Sequence, residues 1–390
     1  MDQENMARRR QRLYKRNRTQ QGCSLALLLL AFLLLFQLVN LIVPNREYSE
    51  QENRMLAQKP ELTWASLNDG SYFADWESYL ADQFVARDFW ISLQLRFGKL
   101  MGQTTSNGVI LGDDGYLMEP PADPNEAALE RNLAAIDAFA AAHTTVKMYM
   151  TVVPTAVSIH TDKLPDNIPL RDQIADLQAM QEALKNVNYL DVTDALREHS
   201  DEKLFYRTDH HWTSLAASYA FREMAAQMGI SNVLNYDVYP VTTTFEGTLA
   251  SRSGQHTDRD TIEIYVPQTD VEYYVTFEDS KETTASLYVS DCLKEKDKYT
   301  VFFGGNYPRV DVVTTANTGK NLLIFKDSYA NCFVQFLTPY YDRIILIDPR
   351  YYYGDAERLL GQQKITDVLY LYNANTFFED TSLADVLGAE

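Results

Sequence analysis

The sequence predicts an α/β fold: a parallel sheet flanked by helices in three layers, with a β-rich insertion and an N-terminal transmembrane helix. Three observations lead there. Short, fully apolar strands alternate with helical segments over 124–193 and again over 322–373. Strands with no polar face are buried on both sides, which marks a parallel sheet between helix layers. Between these stretches, residues 235–320 become short Thr-, Val- and Tyr-rich runs broken by Gly and Asp, and residues 21–44 carry no charge at all.

The uncharged run holds about 20 apolar residues, enough to cross a hydrocarbon core of about 30 Å. It is apolar all round, unlike the helix of a soluble core. Directly before it stand Arg8, Arg9, Arg10, Arg12, Lys15, Arg16 and Arg18 against only Asp2 and Glu4. The positive-inside rule therefore puts 1–20 in the cytoplasm as a basic tail and everything beyond Val43 outside. No small-x-small cleavage site follows, and the run is longer than a signal-peptide core. The expectation is an uncleaved signal anchor at 21–44, with a cleaved signal peptide as the alternative. The whole chain carries a net charge of -19 despite that tail. So acidic an outer part argues against nucleic acid or anionic lipid as its partner. Three Cys exclude a disulfide scaffold and a Cys-rich zinc module. Cys23 reads as a small apolar residue of the membrane helix, with palmitoylation as the alternative, and Cys292 and Cys332 read as free thiols.

The elements follow in order. Residues 45–75 are polar and irregular and read as a stalk; 76–390 read as one catalytic domain, with 235–320 inserted. Residues 72–101 are rich in aromatics at helical spacing, predicting two short helices whose apolar face packs on the main domain. Two strand-like pieces over 107–119 are joined by Gly112-Asp113-Asp114-Gly115, a hairpin signal. A helix is expected from Pro124 to about Ala142, a strand at 146–154, a helix at 171–187 and a strand at 188–193. Thr213 is a plausible N-cap for a helix over 214–227. After the insertion come a strand at 322–325, a helix from Tyr329, a strand at 343–348, a helix near 355–363 and a strand at 367–373. No glycine-rich phosphate loop is present.

In open α/β sheets the chemistry gathers at the carboxyl ends of the strands. Ser328 follows one such strand and precedes a helix. A serine on that turn exposes its hydroxyl, and the neighbouring N–H groups can bind an oxyanion; the same position also suits an ordinary N-cap. Asp209 and His211 lie two apart in an extended segment and so face the same side, with His210 opposite. A carboxylate accepting from one ring nitrogen can turn the other toward a hydroxyl, as a general base requires. A metal site and a merely capped helix start are the other readings of Thr208-Asp209-His210-His211-Trp212. No further His or Cys cluster stands nearby in the sequence. Asn373, at a later strand end, can donate its amide to an oxyanion or satisfy loop carbonyls.

Serine at a strand-to-helix turn, asparagine at a later strand end and Asp-x-His before a helix together resemble the SGNH (GDSL-like) hydrolase superfamily. There the serine comes first and the Asp/His motif last. Here Asp209 and His211 precede Ser328, so the motif order is circularly permuted. That permuted order, TDHHW (208–212) and the anchor resemble the DHHW family, related to the SGNH-like O-acetyltransferase proteins of bacterial alginate export. The resemblance extends through ENRMLAQKPEL (52–62), YLADQFVARDFW (79–90), NGVILGDDGYLM (107–118), VVPTAVSIHTDKLP (152–165), FEGTLASRSG (245–254), FFGGN (302–306), FKDSYAN (325–331) and IDPRYY (347–352). It implies Ser328 as nucleophile, His211 as base and Asp209 as its orienter. The oxyanion donors it implies are the Ser328 backbone N–H and Asn373. Two departures stand out: Lys326-Asp327-Ser328 replaces Gly-Asp-Ser, and Asp348-Pro349-Arg350 stands where a glycine is usual. Arg350, Gly305 and Asn306 are the further candidates for lining the site.

The activity implied is acyl transfer through an acetyl-serine, most directly O-acetylation of a cell-surface or exported polysaccharide, with no cofactor and no metal. No CoA-binding feature is visible, so a multi-spanning acyltransferase of the MBOAT type is the implied acetyl-delivering partner. Tyr351, Tyr352, Tyr353 and Trp212 can stack on sugar rings or pack internally. A polysaccharide acetylesterase and a non-catalytic glycan-binding protein are the alternatives on the same fold.

Overall fold

In the computed structural model, residues 2–256, 258–278 and 281–388 are described. Basic tail and uncharged run form one helix, α1 (Asp2–Ile42). Its stretch Tyr14–Asn40 is long and apolar enough to cross a membrane, and none of it is buried. The chain divides into two compact units, 1–94 and 95–390.

In the first unit, α1 is followed by α2 (Ser71–Asp82) and by the start of α3 (Arg87–Leu100), inside which the division falls. The segment expected as a stalk is fastened to these helices. Arg54 donates to both oxygens of Asp82 at 2.6 and 2.8 Å, the Ala57 N–H donates to Asp82 at 2.8 Å, and Arg87 donates to Glu52 at 2.6 Å. The Arg54 guanidinium holds the buried Asp82 carboxyl below the usual carboxylate range. Asp82 is the buried residue of α2, while Phe73, Leu80, Phe84 and Phe89 are exposed.

In the second unit, the hairpin forms as its turn residues require. β1 (Val109–Leu111) pairs antiparallel with β2 (Leu117–Met118), with Asp114 and Gly115 at positive φ between them. The alternation begins with α4 (Glu126–Ala142), capped by Asn125, and continues through β3 (Lys147–Val153) and α5 (Gln173–Ala183), capped by Asp172. Next are β4 (Asn188–Tyr189), shorter than predicted, and α6 (Ser214–Ala225), whose Thr213 hydroxyl caps the Ala216 N–H. β5 (Tyr236–Phe245), α7 (Thr248–Ser253) and β6 (Asp260–Pro267) follow, then β7 (Tyr273–Phe277), β8 (Thr283–Thr284) and β9 (Arg309–Thr314). The last stretch is β10 (Asn321–Lys326), α8 (Tyr329–Phe333), β11 (Arg343–Ile347), α9 (Ala356–Gln363), β12 (Asp367–Asn373) and α10 (Ala374–Glu379).

The main sheet has the order β8-β7-β9-β11-β10-β12-β3-β4. β11, β10, β12, β3 and β4 are parallel; β9, β7 and β8 extend the β11 side antiparallel. The β-rich segment 235–320 is thus split. β5 and β6 form their own antiparallel pair, whereas β7 to β9 belong to the main sheet. Successive residues of each central strand feed opposite cores, as a period of two demands. Leu322 and Ile324 join Trp212, Phe221 and Phe333 on one face; Leu323 and Phe325 join Ile136, Leu177 and Phe377 on the other. From β10 the chain crosses first to β11 on one side and later to β12 on the other. The crevice at the carboxyl ends of these strands is therefore the topological switch point, where ligands bind in such sheets.

Candidate active site

β10 ends at buried Lys326, buried Asp327 follows, and Ser328 opens α8 with φ -66° and ψ -17°. The turn is held by its own aspartate. Asp327 accepts from the Tyr329 N–H at 2.8 Å and from the backbone N–H and side-chain amide of Asn373 at 2.8 and 2.5 Å. Among the described residues nothing accepts from the Ser328 N–H, which leaves that donor free at the start of the helix.

The segment before α6 meets this turn from 117 residues away in sequence. His211 Nε2 lies 2.7 Å from Ser328 Oγ, and His211 Nδ1 lies 2.5 Å from Asp209 Oδ1. Asp209 is buried, and its second oxygen accepts from the Thr248 N–H at 2.8 Å and the Thr248 hydroxyl at 2.9 Å. Gly247 makes that approach possible, since a Cβ there would lie 2.3 Å from Asp209 Cβ. Burial opposes the charge on Asp209, but His210, His211 and the hydrogen bonds outweigh it and hold its carboxyl well below the usual range. Burial, with His210 and Lys326 adding to it against Asp209, pushes His211 down to about 4. At neutral pH the line is a carboxylate, a neutral imidazole and a hydroxyl, the protonation pattern a general base needs.

Aromatic side chains fix both halves. Tyr299 stacks on His211 with ring centroids 3.7 Å apart and donates its hydroxyl to the Ser328 carbonyl at 3.1 Å. Trp212 Nε1 donates to the Tyr329 carbonyl at 2.9 Å, and the Tyr329 hydroxyl donates to the His210 carbonyl at 2.6 Å. Trp212 is thus a buried strut. Asp209, His210 and His211 also bring ligand atoms within 4.8 Å of one another. Those atoms are already engaged: His210 Nδ1 lies 2.9 Å from Thr248 Oγ1, and both ring nitrogens of His211 are in the line above. A metal would have to break that line.

The other expected site residues fall differently. Both amide hydrogens of Asn373 are spent, on Asp327 and on Thr376 Oγ1 at 2.7 Å, so the expectation of an oxyanion donor there is corrected. Its carbonyl caps α10. Arg350 is bound bidentately to buried Asp348 at 2.6 and 2.8 Å, as a structural pair. Gly305, at φ +127°, precedes exposed Asn306, whose Oδ1 accepts from Lys326 and Asn331. Thr248, Gly247 and Tyr299 were not singled out from the sequence. Only the FEGT string gave a signal for the first two, and Tyr299 had none.

The mostly parallel sheet flanked by helices and the family match together place the chain in the SGNH-like class of α/β proteins. The chain belongs to the family described as SGNH hydrolase-like domain, acetyltransferase AlgX, whose profile matches residues 109–320. That match takes in Asp209 and His211 and ends before Ser328. A DHHW family protein from Eubacterium siraeum has the same fold, with a TM-score of 0.63 and 24% identity, over 73% of this chain and 96% of that one. Bacillus cereus PatB1, solved with a sulfonyl adduct, gives a TM-score of 0.58 and 17% identity over 70% of this chain and 96% of its own. No curated protein matches the chain.

Proposed function

We propose that the chain is a membrane-anchored, extracytoplasmic O-acetyltransferase that modifies a cell-surface or exported polysaccharide. The observation that carries this reading is the continuous line from Asp209 through His211 to Ser328, at 2.5 and 2.7 Å. His211 Nε2 takes the Ser328 proton as Oγ forms a bond to the acetyl carbonyl carbon of the donor ester. The oxyanion collapses, the donor C–O bond breaks, and His211 returns the proton to the departing oxygen. An acetyl-serine remains. A sugar hydroxyl then gives its proton to His211 and attacks the same carbonyl; Ser328 leaves and recovers its proton. Asp209 keeps the ring oriented and stabilises the imidazolium at each step.

The family's acetyltransferase description supports the acetyl group. The charge order of α1, basic before apolar, supports an anchor with the second unit outside. A membrane acyltransferase of the MBOAT type is the proposed source of acetyl groups, since CoA esters are not supplied on that side. The test is the intact mass of the full chain in detergent after exposure to 4-nitrophenyl acetate, wild type beside Ser328→Ala. An acetyl increment in the wild type alone, mapped to Ser328, is the expected result. Equal uptake by both proteins overturns the nucleophile. Adding oligosaccharides then separates transfer to sugar from hydrolysis.

A further inference from the structure

Lys326 is a buried cation two residues before Ser328 that the mechanism above leaves unused. Its Nζ donates to Asn331 Oδ1 at 2.8 Å and to Asn306 Oδ1 at 3.3 Å, and Asn331 Nδ2 donates to the same Asn306 oxygen at 3.2 Å. Two donors therefore fix the carbonyl end of the Asn306 amide. Its Nδ2 donates to nothing among the described residues, and Asn306 is exposed. Lys326 and Asn331 flank Ser328 on either side of one turn, with the Asn331 N–H donating to the Ser328 carbonyl at 3.1 Å. An amide held by both lies beside that turn.

The topology gives the same placement. β9 pairs antiparallel with β11, and its first residue, Arg309, stands opposite Ile347, the last of β11. The Asp348 N–H donates to the Pro308 carbonyl at 3.1 Å. The loop Gly304-Gly305-Asn306 is thus delivered to the carboxyl end of β11, next to the Ser328 strand. This is where Asp348-Pro349-Arg350 stands in place of the usual glycine, with the Asp348 and Arg350 backbone N–H groups both engaged, and where Asn373 has no amide hydrogen to spare.

We propose that Asn306 Nδ2 is the second oxyanion donor, beside the Ser328 N–H, and that Lys326 is its positioning residue, acting directly and through Asn331. This rests on Ser328 being the nucleophile. Lys326 faces Asp327 on its own turn, Asp348 and Arg350 from the end of β11, and His211 across the site. Burial pushes its ammonium down to about 8, with Asp348 and Asp327 opposing and Arg350 adding. On losing its proton it becomes able to accept as well as donate, and the two amides are no longer held in one orientation.

The test uses the full chain in detergent with 4-nitrophenyl acetate, comparing wild type, Asn306→Ala, Lys326→Met, the double variant and Ser328→Ala. Removing one oxyanion donor costs about 100- to 1000-fold in kcat. Asn306→Ala is expected to lose that much with KM little changed, Lys326→Met to lose a similar factor, and the double variant no more than either. Wild-type kcat is expected to fall above about pH 8, and both single variants to lack that limb. Asn306→Ala within about threefold of wild type, or losses that multiply in the double variant, overturns the proposal. If Lys326→Met does not fold, the rate and alkaline limb of Asn306→Ala decide alone. Full activity in Ser328→Ala marks failure of the nucleophile itself, whereas a dead Ser328→Ala beside an unimpaired Asn306→Ala marks failure of this inference only.

Discussion

Gly247→Ala tests whether the Asp209 carboxylate works by its position. Gly247 has φ -90°, a conformation any residue adopts, so the substitution brings no backbone strain. It brings a methyl group 2.3 Å from both Asp209 Cβ and Asp209 Oδ2. Ordinary carbon contacts begin near 3.5 Å, so Asp209 and the start of α7 at Gly247 must part by about 1 Å. The Asp209–His211 bond of 2.5 Å would then stretch to about 3.5 Å, past the useful range of a hydrogen bond. A displacement of that size at a catalytic group costs about 100-fold in rate, or about 2.7 kcal/mol of transition-state stabilisation. Overpacking costs the fold about 1–3 kcal/mol. The assay is kcat/KM for 4-nitrophenyl acetate alongside the unfolding midpoint. Turnover within about threefold of wild type, with the methyl group accommodated, refutes the claim that Asp209 must sit where it does.

Further outcomes follow from the same contacts. Because burial pushes His211 down to about 4, kcat/KM should climb as pH rises through about 4 and stay level through neutrality, a profile read directly from initial rates. Stability should fall as pH falls. The folded His211 resists protonation that the unfolded chain accepts near 6.5, so unfolding is favoured as pH falls from about 6.5 to 4, as denaturant titrations at several pH values would show. Tyr299→Phe keeps the stack on His211 but removes the hydroxyl bonded to the Ser328 carbonyl; a stability loss of about 1 kcal/mol with folding intact is expected. Trp212→Phe leaves the Tyr329 carbonyl without its buried donor and should cost about 1–3 kcal/mol by denaturant unfolding.

Much of the fold was legible because each signal is local. The apolar runs at 322–325 and 343–348 read as buried strands, and Thr213 caps the helix it was expected to cap. Ser328, and Asp209 with His211, could each be singled out because a strand-to-helix turn and a period of two say where those side chains point; the resemblance to the SGNH superfamily is what joined them. The misreadings share a different cause. Asn373 and Arg350 stand at strand ends like functional residues, but position alone does not reveal a partner. Asp327 claims one and Asp348 the other, across distances the sequence does not record. The aromatics of α2 and α3 have helical spacing, which predicts helices but not which residues are buried; in α2 the buried residue is Asp82, held by Arg54. Lys326 looked like a departure from the usual glycine, and its use emerges only once Asn306 and Asn331 are seen around it.

The permuted order of the motifs also has a physical account. A nucleophile and its base need a common frame, and chain order supplies none. Here the frame is three hydrogen bonds and a stack: Tyr299 to the Ser328 carbonyl, Trp212 to the Tyr329 carbonyl, Tyr329 to the His210 carbonyl, and Tyr299 against His211. Each joins the serine turn to the histidine segment, directly or through Tyr299. The separation of 2.7 Å between His211 and Ser328 is therefore set by side chains buried in the core, where close packing resists small displacements. The connection between β10 and the Asp209 segment can run in either direction around the sheet without altering it, provided those aromatic residues stay in place.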